Sequence, residues 1–386
     1  MAARGEEEAA LLRESVLERR PRWERAAWAG LLGWAAIATA LAVSARLPPQ
    51  SAGANLGRPL LADTAARVQA TESGSADPGL YDVYTTALKG AKYVDLTHAF
   101  SPQSPVWSGF GQASFGPAKA GAGMEGFVEK GEEFSYAKHG FQATSFVLTT
   151  DQYGTQLDPP AHWNEYGATI SDIPPTVALR PLVVLDIHDK VAKNASYHAM
   201  VEDAKVWEKV HGRIPQGSVV MIRSDWSKGW QRFAKEGLPA EYAGVSLDLL
   251  KFLHRERKIL FHGHEPLDTD MTATLEGEAW LMHNNFAQAE GVTNLHLVPQ
   301  HGCLLSIGFA KPLGGLGGFA RYVAICPAGA AHGETVEQTP GAPLQESRQP
   351  LRRTGGVMLP DAGAEPTEYC KTKGALGCAA DGPVWK

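Results

Sequence analysis

The stretch from Thr150 to Trp163, TDQYGTQLDPPAHW, gathers two glutamines, two aspartates and a histidine around a Gly-Thr and a Pro-Pro. In an extended segment alternate residues point the same way. Gln152, Gln156, Asp158 and His162 then share one face. Gly154 leaves room for close approach to the backbone, and Pro159 and Pro160 hold the chain extended. Such a segment aims several ligands at one point, as a metal centre or an acid–base site requires. A polar loop closed by a Pro-Pro turn would explain the same letters.

Other polar groups sit at strand ends. FHGHEPLDTD, Phe261 to Asp270, follows an apolar run and holds His262, His264, Glu265, Asp268 and Asp270. It could supply further ligands or touch substrate, with His264 the first candidate, because strand carboxyl ends often build sites. Arg223 ends another apolar run and suits a carboxylate. Trp163 and Trp226 could wall an aromatic pocket, although tryptophans at strand ends are more often core. GLGGFA, Gly315 to Ala320, fits a dinucleotide fingerprint by letter, but the strand-like RYVAICP follows it where a helix is needed. Asn194-Ala195-Ser196 is a glycosylation sequon that matters only in a eukaryotic secretory route.

The elements that must position these residues alternate. Pro181–Ile187, Ser218–Trp226, Lys258–Glu265, Gly302–Ala310 and Tyr322–Pro327 read as buried strands. Ala199–Val210, Ser246–Arg257 and Glu276–Glu290 read as helices, the last stopped by Gly291. Strand–helix alternation predicts an α/β fold. On a regular helix His283 and Glu290 share a face, being nearly two turns apart, whereas Glu278 lies about 120° from Glu290. His283 is thus a candidate companion of Glu290 by helix geometry.

The chain has 386 residues, a formal net charge of −6, 44% hydrophobic and 20% charged residues. No basic run marks the body, which argues against nucleic acid and for a small-molecule ligand. Residues 1–25 read as a cytosolic n-region. Ala26–Ala45 is an uncharged apolar run of the roughly 20 residues that cross a bilayer. Four arginines precede it between Arg19 and Arg25, which predicts an anchor or export signal with the body on the extracytoplasmic side. Residues 46–90 read as linker, 91–330 as one folded domain, and 331–386 as a loose Pro/Gly-rich tail. Of the four cysteines, Cys303 and Cys326 lie in apolar runs and read as small buried hydrophobes. Cys370 and Cys378 are close enough in the tail to pair in an oxidising compartment.

The spacing Gly154-Thr155-x-x-Asp158-x-Pro160-x-His162 resembles the H-x-G-T-H-x-D-x-P-x-H signature of the cyclase family of metal-dependent hydrolases, the kynurenine formamidase and isatin hydrolase group. VDLTHAFSPQSPVWSG (94–109), IRSDWSKGW (222–230), AEGVTNLHLVP (289–299) and GLGGFARYVAICP are similar to further family segments, in the family's order, over about residues 93 to 327. The resemblance implies the swivelling β/β/α fold, commonly a homodimer. It implies a divalent metal, manganese or zinc, and hydrolysis of a small amide, formamide or lactam, N-formylkynurenine-like or isatin-like. His162 falls at the general acid/base position and Asp158 and Glu290 at ligand positions. Glutamines stand where the family has histidines, at Gln152 and Gln156, and Glu278 stands at a third histidine position. Glutamine oxygen is a hard, weak donor, so these swaps disfavour zinc relative to manganese, magnesium or calcium. They also motivate a second reading, a catalytically inactive small-molecule binding protein on the same fold.

Overall fold

A computed structural model describes residues 79–336 and two short paired strands beyond them, Leu351–Thr354 and Val357–Pro360. The apolar run at Ala26–Ala45, the linker before residue 79, and Cys370 and Cys378 lie outside the described residues. Among the described residues no helix is long and apolar enough to cross a membrane. In the tail, where a loose segment is expected, the two short strands pair as an antiparallel hairpin.

The strands in chain order are β1 (Lys92–Asp95), β2 (Ser114–Pro117), β3 (Thr144–Val147), β4 (Gln156–Asp158), β5 (Leu179–Asp186) and β6 (His198–Ala199). They continue with β7 (Val219–Arg223), β8 (Gly244–Val245), β9 (Phe261–His264), β10 (Gln288–Glu290), β11 (Cys303–Phe309) and β12 (Gly318–Cys326). The main sheet runs β1-β12-β11-β5-β7-β9-β10-β4, and β4 returns to pair with the start of β12. The sheet therefore closes into a barrel-like ring, with β1 on the far end of β12. The stretch β5-β7-β9-β10 is parallel, and the remaining pairs are antiparallel.

Alternation along the strands sorts side chains into two cores. Leu182 and Val184 of β5, with Val219 and Met221 of β7, face the first, together with Leu157, Ala289 and Tyr322. Val183, Leu185, Val220 and Ile222 face the second, beneath the helices α1 (Val201–His211), α2 (Leu247–Lys251, running on as a π-helix over Phe252–Arg257) and α3 (Glu276–His283). Strands buried on both faces explain why these runs read as continuously apolar. The α/β expectation and the principal strand positions agree with this architecture.

Two expectations are corrected. The helix from Glu276 does not reach Glu290; it ends at His283, with Asn284 as its C-cap and Asn285 at a φ of +61°. The chain then enters β10, so Glu290 belongs to a strand and shares no helical face with His283. Asn is the usual residue after Gly at such a left-handed stop. Cys303 and Cys326, read as separate small hydrophobes, form a disulfide. The β11–β12 register sets Leu304 opposite Ile325, which leaves the two cysteines facing one another with Cα atoms 4.2 Å apart.

Peptide mapping of unreduced protein is expected to return Cys303 and Cys326 in one linked fragment; recovery of both as free, alkylated thiols would contradict the pairing. Replacing both by alanine opens a link between residues 23 apart in sequence. A closed loop of that size is worth about 3 kcal/mol, read as a lower denaturant midpoint.

Candidate active site

The antiparallel register of β4 and β10 builds the site. Gln156 lies opposite Glu290, Leu157 opposite Ala289, and Asp158 opposite Gln288. Leu157 and Ala289 turn into the barrel core, so the four polar side chains emerge together on the other face. Three backbone-directed contacts hold β4 in place: the Tyr322 hydroxyl donates to the Gln156 carbonyl at 3.0 Å, the Thr155 hydroxyl to the Gly291 carbonyl at 2.6 Å, and the His98 amide to the Thr155 hydroxyl at 2.9 Å. Gly291 sits at a φ of +61°, and a Cβ there would lie 2.8 Å from the Gly154 carbonyl oxygen. The close approach of the two strands at this end thus requires glycine.

The result is a net of glutamine amides around two buried carboxyls. Gln152 Nε2 donates to Asp158 Oδ1 at 3.1 Å, and Gln156 Nε2 to Asp158 Oδ2 at 3.3 Å and Glu290 Oε2 at 2.9 Å. Gln288 Nε2 donates to Glu290 Oε1 at 2.8 Å. The Thr269 hydroxyl donates to Gln288 Oε1, which fixes that amide's orientation. Asp158 and Glu290 lie close enough for the charge of Asp158 to act on Glu290. Burial raises the pKa of both; nearby His162 and the amide donors oppose this at Asp158, whereas the Asp158 charge adds to it at Glu290.

Over this floor lies a cavity of about 340 Å³. Its polar lining is Gln152, Gln156, His162, Asp268, Glu278 and Glu290; Val106, Trp107, Phe110, Trp163, Leu267 and Leu275 supply most of the apolar wall. Pro159 and Pro160 end the strand, and a 3₁₀ turn over Pro160–His162 brings His162 to the cavity. The face-sharing expectation therefore holds by convergence and not by continuous extension. His162 Nε2 lies 3.8 Å from Glu278 Oε1, which also accepts from Trp163 Nε1 at 2.9 Å. Burial and then the charges of Asp158 and Asp268 push the Glu278 carboxyl up to about 8. Asp268 is raised to about 6, chiefly by burial. Trp107 stands partly exposed at the cavity, its ring laid over Gly109, where any Cβ would collide with it.

Four other sequence candidates do not line this cavity. His283 is exposed, with Nδ1 against the Ala279 carbonyl at 2.8 Å. The helix continuation that would have aimed it at Glu290 does not exist. Arg223 pairs with Asp186 and Asp225 at 2.8 and 2.7 Å, tying strand ends together. Trp226 packs on Trp230 and Phe233. His264 is buried behind the floor, 3.1 Å from the Pro266 carbonyl and 3.2 Å from the Thr269 hydroxyl, with Nε2 3.8 Å from Glu290 Oε1. It steadies the Thr269–Gln288–Glu290 chain. Sequence reasoning did not select Gln288, Trp107 or Phe110, and it named Asp268 only as one member of a polar cluster. Asp268 sits in the polar run after β9, which was signal enough; the others required the β4–β10 register and a segment some fifty residues upstream to be placed.

Among the described residues, no three His, Cys, Asp or Glu side chains are placed to hold a metal ion by themselves. An ion at the floor must therefore also use glutamine oxygen. Gln156 Oε1 is buried and has no hydrogen-bond partner. It is Nε2 that faces Asp158 and Glu290; with the amide turned over, Oε1 would join the two carboxyls in an all-oxygen set, which suits a hard divalent ion such as manganese or magnesium better than zinc.

Residues 94–271 match a family profile described as "Putative cyclase". An isatin hydrolase from Roseibium aggregatum is 26% identical over 204 residues, which cover 48% of this chain and 76% of that protein. Among solved structures, isatin hydrolase A from Labrenzia aggregata, bound to benzyl benzoate, superposes with a TM-score of 0.54 at 22% identity, covering 64% of this chain and 98% of that one. Isatin hydrolase A from Ralstonia solanacearum gives 0.52 at 23% identity, covering 71% and 100%. These structures share the fold.

Two outcomes are expected of the site. Glu278 is held near 8 against an ordinary 4.5, so its favourable contribution is complete below about pH 4.5 and is lost as pH rises through about 8. Glu278→Gln, neutral throughout, should gain stability relative to the parent from about pH 5 to about pH 9 in chelator-treated protein. Parallel stability–pH curves would contradict the buried acid. Separately, Gln152→His with Gln156→His puts imidazole where amides now point at Asp158. Zinc should then raise the melting temperature of the double variant more than that of the parent. An equal zinc response would mean the two positions do not face an ion site.

Proposed function

We propose that this chain, whose residues 94–271 match the cyclase profile, hydrolyses the C–N bond of a small amide, formamide or lactam in the cavity above Asp158 and Glu290. The observation that carries this is the convergence of His162, Glu278, Glu290 and Asp158 at one aromatic-walled cavity of about 340 Å³. Isatin-like lactams and N-formyl arylamines are the substrate classes we propose. The size and aromatic walls of the cavity support that choice, as does the name of the relative from Roseibium aggregatum.

A hard divalent ion held by Asp158, Glu290 and Gln156 Oε1 would polarise the substrate carbonyl. The chain's own groups carry the proton traffic. His162, partly open to the cavity, takes a proton from the attacking water and delivers it to the leaving nitrogen as the C–N bond breaks. Glu278 lies beside the imidazole, its Oε1 3.8 Å from His162 Nε2. Trp163 fixes Glu278 through its indole N–H. Trp107, Phe110 and Trp163 hold an aromatic ring and displace water.

One observation favours a second reading, a binding protein without turnover: both oxygens of Asp158 and of Glu290 already accept from glutamine amides. We further propose that the body works in an oxidising, extracytoplasmic compartment, as the basic-flanked run at Ala26–Ala45 suggests. The Cys303–Cys326 disulfide supports that location.

The test is hydrolysis of isatin and of N-formyl aryl amines by the full chain with manganese supplied. His162→Ala should lower kcat roughly a hundredfold or more. Turnover that is indifferent to His162, or tight binding of these compounds with no turnover in the parent, would overturn the hydrolase reading.

A further inference from the structure

Among the side chains lining the cavity there is no lysine and no arginine, and His162 is the sole basic group. Asp268, Glu278 and Glu290 line it, and Asp158 lies just beneath. A divalent ion on Asp158 and Glu290 offsets only those two. Glu278 and Asp268 remain, both on the lining, and the Asp268 charge is among those that disfavour ionisation of Glu278. Glu278 is only 4% exposed, and while its Oε1 accepts from Trp163, its Oε2 is buried with no partner. A buried acceptor without a donor is costly, and a charged donor relieves it best. The faces of Trp107, Phe110 and Trp163 complete a surrounding that attracts cations and leaves a carboxylate ligand with nothing to pair with.

Resting on the reading of this cavity as the substrate site, we infer that its ligand carries a positively charged nitrogen, an ammonium or amidinium, beside an aromatic or compact apolar group. The charged nitrogen sits between Glu278 and Asp268, and the apolar group lies against the tryptophans. The substrate class becomes an amide or lactam that also bears a basic amine. Acidic amides are excluded.

The probes are benzylammonium, benzyl alcohol and benzoate, titrated calorimetrically into the full chain with and without manganese. Benzylammonium should bind at least about tenfold more tightly than benzyl alcohol, with benzoate weakest. The ranking in the unsubstituted protein needs no variant. Glu278→Gln and Asp268→Asn should each shrink the ammonium preference, read as the ratio of benzylammonium to benzyl alcohol affinity within each variant, and together abolish it. Equal or tighter binding of benzyl alcohol or benzoate, or an ammonium preference that survives both substitutions, overturns the inference. Turnover of neutral amides without ammonium preference sinks this inference and leaves the hydrolase standing. Ammonium preference in a chain that takes up no metal and turns nothing over does the reverse.

Discussion

Four carboxyl groups gathered at and just beneath one cavity cannot all carry charge unless something positive stands among them. Asp158, Asp268, Glu278 and Glu290 are in that position, and burial leads the causes that raise each of them. The fold supplies partial compensation in the form of three glutamine amides and one imidazole. Each amide-to-carboxylate hydrogen bond is worth about 1.5–3 kcal/mol, which holds the floor in one arrangement without supplying a full positive charge. The excess of carboxyl over basic groups gives the site its chemical character.

The closed sheet exists in a form that serves this floor. β4 is three residues long, yet it joins β10 on one side and the start of β12 on the other. Its inward Leu157 belongs to the barrel core, and its outward Gln156 and Asp158 meet Glu290 and Gln288. The same short strand thus completes the ring and presents the polar set. Thr155, Tyr322 and Gly291 fix its backbone, so a change at any of them moves the floor as a unit. The parallel run β5-β7-β9-β10 provides the rigid side against which β4 is registered.

Much of this was legible in the sequence because buried strands announce themselves as apolar runs. β7, β9 and β11 fall within the segments read that way, and β5 and β12 overlap theirs but begin earlier, at Leu179 and Gly318. The short polar stretch around Asp158 also pointed at one spot, although its end turns through a 3₁₀ segment where an extended chain was expected. What the letters did not carry is register. Cys303 and Cys326 pair only because β11 and β12 are antiparallel with Leu304 opposite Ile325. Gln288 matters only because it lies opposite Asp158. The helix from Glu276 was read too long because its apolar pattern continues past Asn284-Asn285. The left-handed stop at Asn285 is a local choice that periodicity does not register. His283 was lost with that extension, and Glu278, one turn into the helix, remained.

Where the signature that this stretch resembles has histidines, Gln152 and Gln156 offer amide oxygen, a donor better suited to a hard cation than to zinc. The most direct measurement is the stoichiometry of manganese bound to the full chain at equilibrium, with Asp158→Ala beside it. The account predicts about one ion per parent chain, displaced poorly by zinc, and none in the variant. A parent chain that binds no manganese, or one whose binding is unchanged by the loss of Asp158, would contradict it.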